Sequence, residues 1–222
     1  MQVLILCGGR GTRLNGERPK PLIEIAGRPI LWHVVSIYAR QGFERFLLLT
    51  GYRGDEVAAW SDWPAGVSVE CVDTGVDTPS GGRVHAVRDR LNETFCLAYA
   101  DGVADIDLGA LRARHEKVGA LATMTVVRPQ LPFGVAVLDG GRVTGFREKP
   151  VSEQWVNGGF FVLEPGALAY LEADSVLERE PLERLAADGA LAAYRHTGFW
   201  RCLDTAKDAA ALEEAGPGRW LA

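Results

Sequence analysis

The sequence predicts an α/β protein. A mostly parallel sheet carries helices on both faces, and an α+β C-terminal extension walls one side of a cleft. Three observations predict it. Through the first half, continuous apolar runs alternate with amphipathic helical patterns, as expected of strands buried on both faces. The first run, residues 3–7, stops abruptly at Gly8-Gly9-Arg10-Gly11. After Gly119 the pattern changes to short strands joined by tight turns such as Asp139-Gly140-Gly141.

In chain order, the first half places strands at 3–7, 46–50, 67–72 and 95–99, with helices at 29–41, 55–60, 83–91 and 108–117. The second half places strands at 120–128, 134–138, 142–147 and 155–163, then helical stretches at 165–172 and 181–188. Strands at 191–194 and 200–203 precede a last helix at 205–214. Repeats, low-complexity tracts and linkers are absent from the sequence, so residues 1–118 and 119–222 are expected to form one unit.

The bulk numbers exclude several classes. At 222 residues the chain buries enough surface to fold without a disulfide or a structural metal. A net charge of −5 and the lack of any dense basic block argue against nucleic-acid binding. Cys7, Cys71, Cys96 and Cys202 form no Cys-x-x-Cys pair and read as small buried hydrophobes of a reducing compartment. His33, His85, His115 and His196 have no metal-ligand spacing, and His33, among apolar helix neighbours, reads as structural. No apolar run is long enough to span a membrane, so a cytoplasmic location is expected.

The chemistry begins where the first strand ends. Gly8, Gly9 and Gly11 let backbone N–H groups approach an anion closely, and Thr12-Arg13 and Pro19-Lys20-Pro21 add positive charge on a stiff segment. A Walker loop would need Lys-Ser or Lys-Thr after its last glycine, and a dinucleotide fingerprint would need a small residue at Leu14. The feature therefore reads as a phosphate site of another kind. In a parallel sheet, Asp101-Gly102, after the strand at 95–99, shares an edge with Gly8. A carboxylate beside phosphates calls for a divalent cation between them, although Asp-Gly is also a common turn pair. Asp204, just ahead of the last helix, reads locally as that helix's N-cap. Lys149, preceding Pro150, is expected in an extended conformation, and Asn157-Gly158-Gly159 reads either as a bulge or as a close ligand approach.

These segments together resemble the sugar-1-phosphate nucleotidylyltransferases, and within them the glucose-1-phosphate cytidylyltransferases. The resemblance rests on Gly8-Gly9-Arg10-Gly11-Thr12-Arg13-Leu14, Pro19-Lys20-Pro21, Val72-Asp73-Thr74-Gly75, Ser80-Gly81-Gly82-Arg83 and Asp101-Gly102-Val103-Ala104-Asp105. It continues through Glu148-Lys149-Pro150, Asn157-Gly158-Gly159-Phe160-Phe161 and the Asp204 segment. It implies a Rossmann-like fold with a nucleotide-binding half at 1–118 and a sugar-phosphate-binding half at 119–222. Gly8, Gly9, Gly11, Thr12, Gly81 and Gly82 would meet the nucleotide, with Arg13 and Lys20 on its triphosphate. Glu148, Asn157 and Gly158 would meet the sugar, and Lys149 its phosphate. Asp101 and Asp204 would hold Mg²⁺, which sets aside the local reading of Asp204 as a cap alone.

The implied reaction joins a nucleoside triphosphate, CTP first, to a sugar 1-phosphate, glucose 1-phosphate first, and releases pyrophosphate. The alternatives are the same chemistry with another nucleotide and a cyclitol, heptose or phosphonate, or a non-catalytic sensor of nucleotide or sugar phosphate. Nucleic acid and membrane are not expected partners, and a homo-oligomer is left open. Two departures stand out: Ala100 replaces the branch's usual glycine, and the segment between Trp60 and Val72 is short.

Overall fold

A computed structural model describes residues 1–11 and 18–221. Strand β1 (Gln2–Leu6) is followed by a small ribbon of β2 (Glu24–Ile25) and β3 (Arg28–Pro29), then helix α1 (Ile30–Ala39). Next come β4 (Arg45–Thr50), α2 (Gly54–Ala59), β5 (Ser68–Asp73), α3 (Ser80–Ala86), β6 (Phe95–Tyr99), β7 (Gly102–Ala104) and α4 (Leu108–Val118). The second half supplies β8 (Ala122–Val127), the hairpin of β9 (Val135–Asp139) and β10 (Arg142–Arg147), and β11 (Val156–Leu163). It closes with α5 (Glu180–Ala187), β12 (Leu191–Arg195), β13 (Trp200–Cys202) and α6 (Ala206–Ala215).

Seven strands form the main sheet in the order β12-β8-β11-β6-β1-β4-β5, so both halves of the chain share it. β1 runs parallel to β4 and β6, β4 to β5, and β12 to β8, while β11 runs antiparallel to β6 and β8. Alternate side chains of a strand point to opposite faces, and both faces here are apolar. Val3 and Ile5 join α1 residues Val34 and Tyr38 in one core cluster, and Leu4 joins Leu47, Leu97 and Phe161 in the other. The alternating apolar pattern therefore gives the expected mostly parallel, doubly covered sheet.

Several boundaries moved for identifiable reasons. α4 starts where the Asp107 side chain accepts a hydrogen bond from the Ala110 N–H, and it stops at Gly119 (φ +66°), a left-handed position suited to glycine. The helix expected at 83–91 begins earlier, at Ser80, and breaks after Ala86 into a short 3₁₀ turn. The helical stretch expected at 165–172 is a 3₁₀ segment ending at Tyr170. Asp204 does not cap the last helix: the Thr205 hydroxyl accepts from the Asp208 N–H, and Asp208 returns the bond in a capping box. The competing hydroxyl one residue later takes the cap and leaves the Asp204 carboxylate available elsewhere.

Candidate active site

The parallel register of β1 and β6 pairs Leu6 with Tyr99, so the turns that follow, Gly8–Gly11 and Ala100–Asp101, open on one edge of the sheet. Ligands of open α/β sheets bind at this carboxyl edge. A cleft of about 190 Å³ lies there, with Gly9, Gly11, Lys20, Tyr99, Ala100 and Asp101 among its lining residues. Thr12 and Arg13 lie outside the described residues.

β7 and β13 bring the second carboxylate to the first. They pair antiparallel with Cys202 opposite Gly102, and the Leu203 N–H donates to the Asp101 carbonyl at 2.8 Å. Ligand atoms of Asp101, Cys202 and Asp204 then lie within 4.8 Å of one another. The Lys20 ammonium donates to Asp101 Oδ2 at 2.5 Å and to Asp204 Oδ1 at 2.8 Å. Burial alone would lower the Lys20 pKa, but attraction and hydrogen bonding to the two carboxylates outweigh it and raise it. Buried Pro19 and Pro21 hold the backbone around Lys20. The oxygen-rich donor pair fits a hard divalent cation. The Cys202 thiol is pushed well up by burial and by its acidic neighbours, so it stays protonated at neutral pH.

Sequence reasoning missed Arg83, which organises the nucleotide edge. Arg83 is 4% exposed, and its guanidinium donates to the carbonyls of Gly8 (2.9 Å), Thr50 (2.7 Å) and Gly75 (2.8 Å) and to the Thr74 hydroxyl (2.6 Å). It thereby clamps the turns after β1, β4 and β5 together. The glycines around it make room: a Cβ on Gly8 would lie 2.1 Å from the guanidinium carbon, and one on Gly51 would lie 2.4 Å from Nη1. Gly81 and Gly82 are likewise buried by close packing, since a Cβ on Gly82 would sit 2.1 Å from the Ala173 carbonyl oxygen. The sequence offered only an arginine directly after Gly81-Gly82, because most of its acceptors are backbone carbonyls from distant turns.

On the other side of the cleft, Asn157 donates to the Tyr99 hydroxyl at 3.0 Å, and that hydroxyl donates to Glu178 at 2.6 Å. The strand register shifts between Asn157 and Phe161, and the Gly159 N–H (φ +82°) closes onto Asn157 Oδ1 at 2.8 Å. The strand is therefore bulged here, which is compatible with a ligand approaching the same residues. Tyr99 also requires glycine at 159, because a Cβ there would lie 2.7 Å from its ring. The Gly158 carbonyl accepts from the Trp200 indole N–H at 2.8 Å.

Glu148 and Lys149 follow β10, pair with each other at 3.5 Å, and do not line the cleft with Lys20 and Asp101. Lys149 is not extended, as its place before Pro150 suggested: its φ is +44°, a left-handed conformation that costs a non-glycine residue energy. Its carbonyl accepts from the Gln130 side chain, and a bridge between Gln130 and Val151 holds the bend in place.

A glycine-lined cleft at the carboxyl edge of a parallel sheet, with a lysine on two carboxylates, suits an α/β protein that handles phosphates. The chain belongs to the nucleotidyl transferase family, which it matches over residues 2–201. It is 39% identical to a probable glucose-1-phosphate cytidylyltransferase of Bacillus subtilis over 94% of this chain and 93% of that one. It is 36% identical to the glucose-1-phosphate cytidylyltransferase of Salmonella typhi over 99% and 98%. The fold superposes on HddC from Yersinia pseudotuberculosis with a TM-score of 0.75 at 20% identity, covering 96% and 98% of the two chains. The protein is thus a nucleotidyltransferase of the sugar-1-phosphate class with a Rossmann-like fold.

Proposed function

We propose that the protein joins CTP to glucose 1-phosphate, giving CDP-glucose and pyrophosphate, in the cytoplasm. The base and the sugar come from the two cytidylyltransferase relatives named above. One observation carries the placement of the chemistry: Lys20, Asp101 and Asp204 converge at the same cleft as Gly9 and Gly11.

A phosphate oxygen of the sugar phosphate attacks the α-phosphorus, a new P–O bond forms, and the bond to the β-phosphate oxygen breaks to release pyrophosphate. The second pKa of a phosphate monoester is about 6, so the nucleophile is already mostly dianionic and needs no protein base. The protein's work is therefore positioning and charge stabilisation. Backbone N–H groups at Gly9 and Gly11 receive the triphosphate, with Thr12, Arg13 and Lys20 alongside it. Arg83 holds Gly8 in the shape that aims them. Asn157, Gly158 and Glu148 receive the sugar hydroxyls, and Lys149 the sugar phosphate. Asp101 and Asp204 would hold Mg²⁺, which when bound supplies Lewis-acid charge to the reacting phosphate.

Glu148 and Lys149 stand apart from the cleft on the β9–β10 side, so this reading requires the hairpin to draw in around the sugar phosphate. The same hairpin exposes Leu138, Val143 and Phe146, an apolar face that supports self-association. Pyrophosphate release with Mg²⁺ and glucose 1-phosphate across CTP, UTP, dTTP, ATP and GTP tests the reading. Release with CTP alone supports it. Release with another nucleotide keeps the chemistry and reassigns the base.

A further inference from the structure

The two carboxylates of the cleft already hold a cation, and it belongs to the protein. Lys20 Nζ lies within hydrogen-bond distance of one oxygen of Asp101 and one of Asp204, and its side chain is 17% exposed. A hard divalent ion such as Mg²⁺ takes carboxylate oxygens at about 2.0–2.1 Å. An ion held by both carboxylates would compete with the ammonium for their negative charge and would stand close to it at like charge. The two cations therefore oppose each other's binding.

We propose that Lys20 is the resident counter-ion of the Asp101–Asp204 pair and exchanges with the divalent metal. As the metal arrives, the ammonium leaves the carboxylates and passes to a phosphate of the nucleotide. The second half of this exchange rests on the function proposed above. The base of the side chain is anchored, because Pro19 and Pro21 are buried and Gly11 packs so close that a Cβ on it would lie 2.8 Å from Lys20 Cβ. The four-carbon stem beyond that anchor is what moves, and it need not leave the cleft. Gly9 and Gly11 line the same cavity, so a phosphate received by their N–H groups lies on the stem's own path.

Exchange has a consequence that a purely phosphate-binding lysine lacks. Metal alone must expel an ammonium from its two carboxylates with no phosphate to receive it, so free metal binds weakly. Nucleotide supplies that anion, so nucleotide and metal assist each other, and by linkage the assistance is reciprocal. The lysine also keeps two neighbouring carboxylates from repelling each other while no metal is present.

The test is a Mn²⁺ titration of the nucleotide-free protein, followed by electron paramagnetic resonance, in wild type and in Lys20→Met. The variant is expected to bind Mn²⁺ about tenfold tighter, within the usual range of coupling between sites. Equal or weaker binding by a folded Lys20→Met would overturn the proposal, as would no Mn²⁺ binding by either protein. A second readout uses the wild type alone, in case the variant misfolds. A short pulse of acetic anhydride, read by peptide mass spectrometry, should label Lys20 more strongly at saturating Mn²⁺ than without it, relative to exposed Lys117. Unchanged labelling at saturation contradicts exchange. Neither readout involves turnover. If the transferase reading fails in the pyrophosphate assay while Mn²⁺ still expels Lys20, the exchange stands and only the passage to phosphate is lost.

Discussion

The Arg83 guanidinium donates to the Gly8 carbonyl at 2.9 Å, tying a residue of α3 to the first turn of the phosphate-binding edge 75 positions earlier in the chain. That bond exists because neither Gly8 nor Gly51 has a side chain, and it makes the shape of three separate strand ends depend on one buried cation.

Replacing Arg83 by Met should therefore cost both stability and ligand affinity. The carbonyls of Gly8, Thr50 and Gly75 would lose this donor, and an unsatisfied buried polar group costs about 1–3 kcal/mol. A loss of about 3 kcal/mol is expected in urea denaturation. Arg83→Lys should recover only part of it, since one ammonium cannot span the acceptors that a planar fork reaches. Nucleotide affinity, followed by calorimetry in the folded fraction, should fall in both variants. Unchanged affinity in a folded Arg83→Met would remove Arg83 from the organisation of the site.

Two glycines should respond in opposite ways to the same substitution. Gly82→Ala places a Cβ against the backbone oxygen of Ala173, and overpacking of this kind costs about 1–3 kcal/mol. Gly9→Ala meets nothing within 4 Å in the free protein. Its melting temperature should stay at the wild-type value while nucleotide binding weakens, because the methyl group intrudes only where a phosphate would approach. A Gly9→Ala protein with wild-type nucleotide affinity would remove that residue from the cradle.

His33 predicts a stability change on the acid side. Its ring accepts from the Trp220 indole at 3.3 Å and contacts the Ile25 carbonyl at 2.8 Å, and burial lowers its pKa below the ordinary 6.5. A group depressed in the folded state contributes stability above its unfolded pKa and loses it as pH falls toward the folded value. Thermal stability should therefore decline below about pH 6.5. His33→Gln should be less stable at neutral pH and lose less on acidification. A His33→Gln profile parallel to that of wild type would exclude His33 as a cause.

Cys202, although it stands beside the carboxylate pair, should be slow to alkylate at neutral pH. Burial, then Asp101 and Asp204, hold the thiol well above its ordinary pKa, and only the thiolate is nucleophilic. Iodoacetamide labelling followed by mass spectrometry should find Cys202 reacting far more slowly than a free cysteine. Labelling at the free-cysteine rate would show that the acidic surroundings do not suppress the thiolate.

Elements whose signal is local were legible in the sequence. The apolar run of β1, its glycine stop and the run of β6 placed Gly8 and Asp101 on one edge, which the Leu6–Tyr99 register bears out. Where neighbours compete, local signals misled. Asp204 lost the cap to Thr205 because a hydroxyl one residue on had an acidic partner at Asp208. Lys149 left the extended region because a bridge from distant Gln130 bends the chain there. Arg83 was not singled out, because its partners are backbone carbonyls, which carry no sequence signature. The convergence of Lys20, Asp101 and Asp204 depends on pairing of the short strands β7 and β13 across the chain, which no window of sequence displays.

The most direct measurement follows the oxygens of the reaction. Glucose 1-phosphate carrying ¹⁸O in its non-bridging phosphate positions would be incubated with CTP, Mg²⁺ and the protein, and both products analysed by mass spectrometry. Attack of the sugar phosphate on the α-phosphorus predicts that the CDP-sugar keeps all of the label and pyrophosphate carries none. Label in the pyrophosphate, or release of pyrophosphate with CMP in place of a CDP-sugar, would contradict the account.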